Sequence, residues 1–117
     1  MGNIIVEILV RGLYNLFGLD SPYSATGYGP NWTKQRRKCL ERDDYQCRIC
    51  GKTETEIGRR PAVHHITPRR EFAASEWHQM NALSNLVALC PSCHGTVEGK
   101  YQDTSPEEFV AKSRQNF

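Results

Sequence analysis

The 117-residue chain lacks an uninterrupted apolar run of the roughly 20 residues that a membrane-crossing helix needs. Its most apolar stretch, residues 4–17 (IIVEILVRGLYNLF), is broken at Glu7, Arg11 and Asn15, so no transmembrane span is expected. No basic n-region with a cleavage-like site marks a secretory leader. A reducing, cytoplasmic setting is therefore the expectation. Neither sign of charge dominates, with 15 Lys and Arg against 13 Asp and Glu. The net charge of +2 is weak support for a polyanionic partner. No internal repeat appears beyond two short cysteine turns. A chain of this length fits one domain with a modest core, which often needs a staple.

What is present is concentrated in cysteine and histidine. Of five cysteines, four form two C-x-x-C units, Cys47/Cys50 and Cys90/Cys93, and Cys39 stands apart. In a reducing interior such pairs read as metal ligands rather than disulfides. Two C-x-x-C turns supply four thiolates, which closes the tetrahedral shell of a Zn²⁺ ion and leaves no position for water. The expected site is structural, contributing on the order of 10 kcal/mol to folding. Cys39 falls inside a helical pattern and reads as a small buried hydrophobe.

Around these units the chain divides simply. Glu7, Arg11 and Asn15 recur every four residues, so residues 4–17 predict a helix with one polar face. Its wide apolar face calls for burial on the core or on a second copy, with a membrane-surface role as the alternative. Residues 18–31 are rich in Gly, Ser and Pro and read as a linker. WTKQRRKCLERDDY predicts a helix capped by Thr33. RPAVHHITP predicts a short strand, residues 71–84 a polar loop or short helical piece, and NLVALCPSCHG a buried stretch leading into a second cysteine turn and a helix. SPEEFVAK predicts a further helix, with Ser105 as cap and Pro106 at its first position. The domain division is 1–27, an apolar helix and linker, and 28–117, the functional domain.

Adjacent residues on a strand point to opposite faces. His64 and His65 are therefore expected to divide labour, one ligating an ion and the other doing chemistry beside it. His94 follows Cys93 directly, so zinc binding would hold its backbone next to a rigid anchor. His78 belongs to no pattern.

Taken in order, Cys47-x-x-Cys50, His64-His65-Ile66-x-Pro68 and Asn85-Leu86-x-x-Leu89-Cys90-x-x-Cys93-His94 resemble the HNH endonucleases of the zinc-stapled kind. YGPNWTKQRRKCLERDDYQC resembles the helix that precedes the first cysteine turn in many of them. The resemblance spans roughly residues 28–98. It implies an α+β chain with a ββα-metal fold: a two-stranded hairpin packed on a helix, a four-cysteine zinc site and flanking helices. It further implies that His64 and His94 ligate a catalytic divalent ion. His65 would be the general base, and Asn85 would hold the intervening loop and orient His65. Many members carry Asp where His64 stands. A histidine there shifts metal preference toward Mn²⁺, Zn²⁺, Ni²⁺ or Co²⁺ relative to Mg²⁺. The glycine pair common after the proline is replaced by PRREF.

The expected function is metal-dependent cleavage of DNA phosphodiesters, leaving 5′-phosphate and 3′-hydroxyl ends. The alternative is a non-catalytic zinc-stapled nucleic-acid-binding module. Arg59, Arg60, Arg69 and Arg70 bracket the histidine pair and are candidates for phosphate contacts, with Lys34, Arg37 and Lys38 further out. Residues 4–17 could join the chain to a second copy or to a larger phage or restriction assembly.

Overall fold

The computed structural model describes residues 27–116. The apolar stretch 4–17, and the assembly role attached to it, lie outside the described residues. Among the described residues, no helix is long and apolar enough to cross a membrane.

The first helix, α1 (Trp32–Arg42), is rich in Lys, Arg, Gln, Leu and Glu, which lose little rotamer freedom in a helix. It buries Cys39 and Leu40. The cap is not Thr33 as expected. The helix starts two residues earlier and Asn31 occupies the cap position without a side-chain cap bond. The Asn31 Oδ1 is used elsewhere: it accepts from Asn81 Nδ2 at 2.8 Å. A tertiary bond has displaced the local one.

The first cysteine turn follows. Gly51, at φ +79°, reverses the backbone, and its N–H donates to the Cys47 carbonyl at 2.8 Å. The short helix α2 (Glu54–Ile57) begins at a capping box between Thr53 and Glu56. Strand β1 (Ala62–His65) then pairs antiparallel with β2 (Leu86–Leu89). The register places His64 opposite Val87 and His65 opposite Leu86. Residues 66–85 connect the strands through 3₁₀ turns and one short helix, α3 (Trp77–Met80). All four residues of β2 are fully buried, because α1 packs on the sheet from one side and α4 (Pro91–Val97) from the other. That explains an unbroken apolar run where a one-sided strand would alternate. The last helix, α5 (Pro106–Gln115), starts as expected, with the Ser105 hydroxyl accepting from the Glu108 N–H and Pro106 at the first position. It delivers Phe109 and Val110 into a core shared with Ile49, Ile66, Val87 and Val97.

One buried carboxylate ties these parts together. The Asp43 side chain has no solvent exposure. Arg42 grips it in a fork, Nε to Oδ1 at 2.8 Å and Nη2 to Oδ2 at 3.0 Å. Arg48 Nη1 donates at 2.7 Å, and the Ala88 N–H at 2.9 Å. Arg42 also donates to the carbonyls of Leu83 and Leu86, at 2.7 and 2.6 Å. The end of α1 is thereby bonded to the first cysteine turn, to β2 and to the loop before it. Cys39 sits beside this carboxylate, its Sγ 3.6 Å from Oδ2. Burial, and then the neighbouring negative charge, push its thiol up to about 12, in keeping with an inert structural role.

Burial by itself would raise the Asp43 carboxyl. The bonds from Arg42, Ala88 and Arg48 outweigh it and hold the group below its ordinary range. A carboxyl depressed in the folded state contributes stability above its unfolded pKa of about 3.9. That contribution is lost as pH falls through the lower folded value. Asp43→Ala is expected to cost about 3 kcal/mol, the lower end for a broken buried pair, because the two arginines keep 29% and 28% exposure. Urea titration of the two proteins at neutral pH and below pH ~4 measures this. The gap should narrow in acid, and equal midpoints at neutral pH would contradict the assignment.

Candidate metal centres and the histidine cleft

The sulfurs of Cys47, Cys50, Cys90 and Cys93 lie within 4.8 Å of one another. Two local devices bring them there. The Cys47 turn is stitched to β2 by the Arg48 N–H, which donates to the Ala88 carbonyl at 3.0 Å. The second pair opens α4, with Cys90 as its cap: the Cys90 sulfur accepts from the Cys93 N–H at 3.4 Å. Charge is unevenly supported across the cluster. At Cys47, burial opposes ionisation, yet N–H groups of Cys50, Cys90 and Ile49 outweigh it and bring the thiol down to about 7. At Cys93, burial and then the neighbouring cysteines push the thiol strongly upward. Four sulfurs this close accept full ionisation only around a cation. The donor set is the tetrathiolate that suits Zn²⁺, and the residues fit a structural metal.

The histidines are arranged by strand alternation. His64 turns toward α4 and α5, with its ring 5.1 Å from His94 and 5.3 Å from Phe109. His65 turns toward α1, with its ring 5.0 Å from Trp32 and 5.9 Å from Tyr28. Both sit at the end of β1, so both reach one cleft of about 290 Å³, whose walls also include His94, Arg69 and Arg70. The His64 Nε2 is buried without a hydrogen-bond partner. Burial, and then His94 and His65, bring this imidazole down to about 4. A neutral ring with an unused buried nitrogen beside a second imidazole fits a metal ligand. Burial likewise lowers His65, assisted by Arg69 and opposed by its hydrogen bond to the Asn81 side chain.

Asn85 clamps the loop between the strands. Its Oδ1 accepts from the Thr67 N–H at 2.8 Å, and its Nδ2 donates to the carbonyls of Thr67 and Met80 at 3.1 and 2.9 Å. The orienting part of its expected role falls to a different residue. The side chain bonded to His65 is Asn81, with Oδ1 2.9 Å from Nε2. Sequence order did not single out Asn81, which belongs to no spacing pattern, and it placed Tyr28 and Trp32 only in the stretch leading through α1. Glu98 was missed too. It lies four residues after His94 at the end of α4 and lines the same cleft, and that helical spacing was the available signal.

The basic residues separate into groups. Arg69 and Arg70 are on the cleft, and Arg69 also lies over the Tyr28 ring at 4.0 Å. Arg59 and Arg60 precede the opposite end of β1, where Arg60 pairs with Glu54 at 3.6 Å. Lys34, Arg37 and Lys38 are exposed on α1 away from the cleft walls, with Arg37 4.0 Å from Glu41. His78 is exposed and stacked on Trp77.

A β1–β2 hairpin with a helix behind it, a histidine cleft between them and a cysteine cluster at one end define a small ββα-metal architecture. Residues 47–100 match the HNH endonuclease family model. The four-cysteine cluster lies inside that segment, which is consistent with an HNH domain of the zinc-stapled kind, and a match to a nuclease family implies a nucleic-acid substrate. The chain is also similar to anaredoxin of Nostoc sp. (strain PCC 7120 / SAG 25.82 / UTEX 2576), 28% identical over 61 residues, or 52% of this chain and 67% of that protein. No solved structure matches it.

Cys90→Ser removes one sulfur and the α4 cap together. Zinc content measured by atomic absorption should fall, and the melting temperature with it. Full zinc occupancy at an unchanged melting temperature would contradict the cluster's structural role.

Proposed function

We propose that the chain is a metal-dependent DNA endonuclease whose catalytic domain spans residues 28–117. The observation that carries this reading is the meeting of His64, His65 and His94 on one cleft, with the His64 Nε2 buried and unpartnered. His64 and His94 would hold a divalent ion, and Glu98 offers a carboxylate on the same wall. Such an ion supplies charge to offset that added at the phosphate and to stabilise the departing oxygen.

The protein's own residues do the rest. His65 takes the proton of the attacking water, a task suited to an imidazole that is neutral at cell pH. Its ring is held by Trp32 and Tyr28 and cannot swing freely. Asn85 keeps the 66–85 loop closed over the hairpin end. Arg69 and Arg70 flank the cleft where phosphates on either side of the cut would lie, while Arg59, Arg60, Lys34, Arg37 and Lys38 are candidates for more distant backbone contacts. A histidine at position 64 favours Mn²⁺, Zn²⁺, Ni²⁺ or Co²⁺ over Mg²⁺. Hydrolysis of this type leaves 5′-phosphate and 3′-hydroxyl ends. A reducing, cytoplasmic compartment suits thiolate ligands.

Supercoiled plasmid incubated with Mn²⁺ or Mg²⁺ should be nicked, and EDTA should stop the reaction. His65→Ala should lower the rate by about 10²–10⁴-fold, while zinc content and DNA binding persist. Cleavage at the wild-type rate by this variant would remove His65 from the mechanism. DNA binding with no metal-dependent nicking by the wild type would leave a binding module instead.

A further inference from the structure

Asn81 is completely buried, and every polar atom of its side chain is committed. Its Nδ2 donates to the Tyr28 carbonyl and to Asn31 Oδ1. The Tyr28 carbonyl can only accept a hydrogen bond, so the nitrogen end of the amide must face residues 28–31. The oxygen end therefore faces His65, with Oδ1 2.9 Å from Nε2. An amide oxygen carries no proton, so the proton in this bond sits on His65 Nε2. In a neutral imidazole the other nitrogen, Nδ1, then keeps the lone pair.

The surroundings leave the amide little freedom to turn over. The Asn81 carbonyl accepts from Gln35 Nε2 at 3.0 Å, which ties the residue to α1. Gly29, at φ +84°, lets the chain pass so close that a Cβ there would lie 2.7 Å from the Trp77 Cβ and 3.6 Å from Asn81 Nδ2. The histidine ring plane is fixed by stacking on Trp32, at an interplanar angle of 25°. Tyr28, Gly29, Asn31 and Trp32 all precede the segment that matches the HNH family model. They thus act on His65 from outside it.

We propose that Asn81 is a positioning residue. It holds His65 as the Nε2–H tautomer and makes Nδ1 the atom that accepts the proton of water. The catalytic half of this statement rests on His65 being the base, as proposed above. The tautomer half stands on the hydrogen bonds alone.

Heteronuclear NMR of the zinc-loaded full chain with isotopically labelled histidine tests the tautomer without any substitution at Asn81, with His65→Ala used to assign the ring. Wild-type His65 should show a protonated Nε2 and a bare Nδ1. A protonated Nδ1 overturns the proposal whatever the variants do. Asn81→Leu removes the acceptor and should lower kcat by about 100-fold, the scale of a misplaced group, at nearly unchanged KM and with the Nε2–H signature lost. Asn81→Asp keeps an oxygen beside Nε2 and should retain the tautomer, although its second oxygen cannot make the bonds that Nδ2 donates to Tyr28 and Asn31. A folded Leu variant that cuts at the wild-type kcat also overturns the proposal. If wild type and His65→Ala cut equally, it is the base assignment that fails, and the wild-type spectrum still decides the Asn81 bond.

Discussion

Four sulfur atoms gathered within 4.8 Å are the constraint on which the rest of this small structure depends. They join a turn ahead of the hairpin to the first residues of the helix behind it. The cluster favours a thiolate at Cys47 and resists one at Cys93, an imbalance that a bound cation would even out. Once closed, it fixes the start of α4, and with it His94, one residue past a ligand. The same junction sets the end of β2, because Cys90 follows Leu89 directly. A metal held there would give a small chain what a larger domain gains from its core.

A second tie works from the opposite side of the sheet. Asp43 gathers Arg42, Arg48 and the Ala88 N–H, and Arg42 reaches on to the loop that precedes β2. The cysteine cluster and this carboxylate therefore hold β2 at neighbouring positions but from different elements. Between them the hairpin has little freedom to slip. A one-residue slip would exchange the faces of His64 and His65, placing the first against α1 and the second against α4. The division of the two histidines is a consequence of register.

The connection between the strands carries two asparagines with different tasks. Asn85 satisfies backbone groups of Thr67 and Met80, which lets a long polar loop sit against the hairpin without orphaned donors. Asn81 spends its side chain on His65 and on the segment leading into α1. The second arrangement links the cleft to residues well upstream of the cysteines. It gives the α1 segment a part in the site as well as in the core.

The sequence by itself determined the elements whose signals are local. C-x-x-C spacing declares two thiolates on one turn, strand alternation declares that two adjacent histidines face apart, and Ser105-Pro106 declares a helix start. These follow from short-range covalent geometry, and the folded chain keeps them. The start of α1 shows where that legibility stops: Thr33 has the right chemistry for a cap, but Asn31 takes the position and gives its oxygen to Asn81, 50 residues away. The separation of Arg69 and Arg70 from Arg59 and Arg60, the seating of Trp32 and Tyr28 against His65, and the choice of Asn81 over Asn85 as its partner were decided only by the tertiary structure. Each depends on which distant segment arrives beside a side chain, and hydrogen bonds and ring contacts over such separations leave no periodicity in the chain.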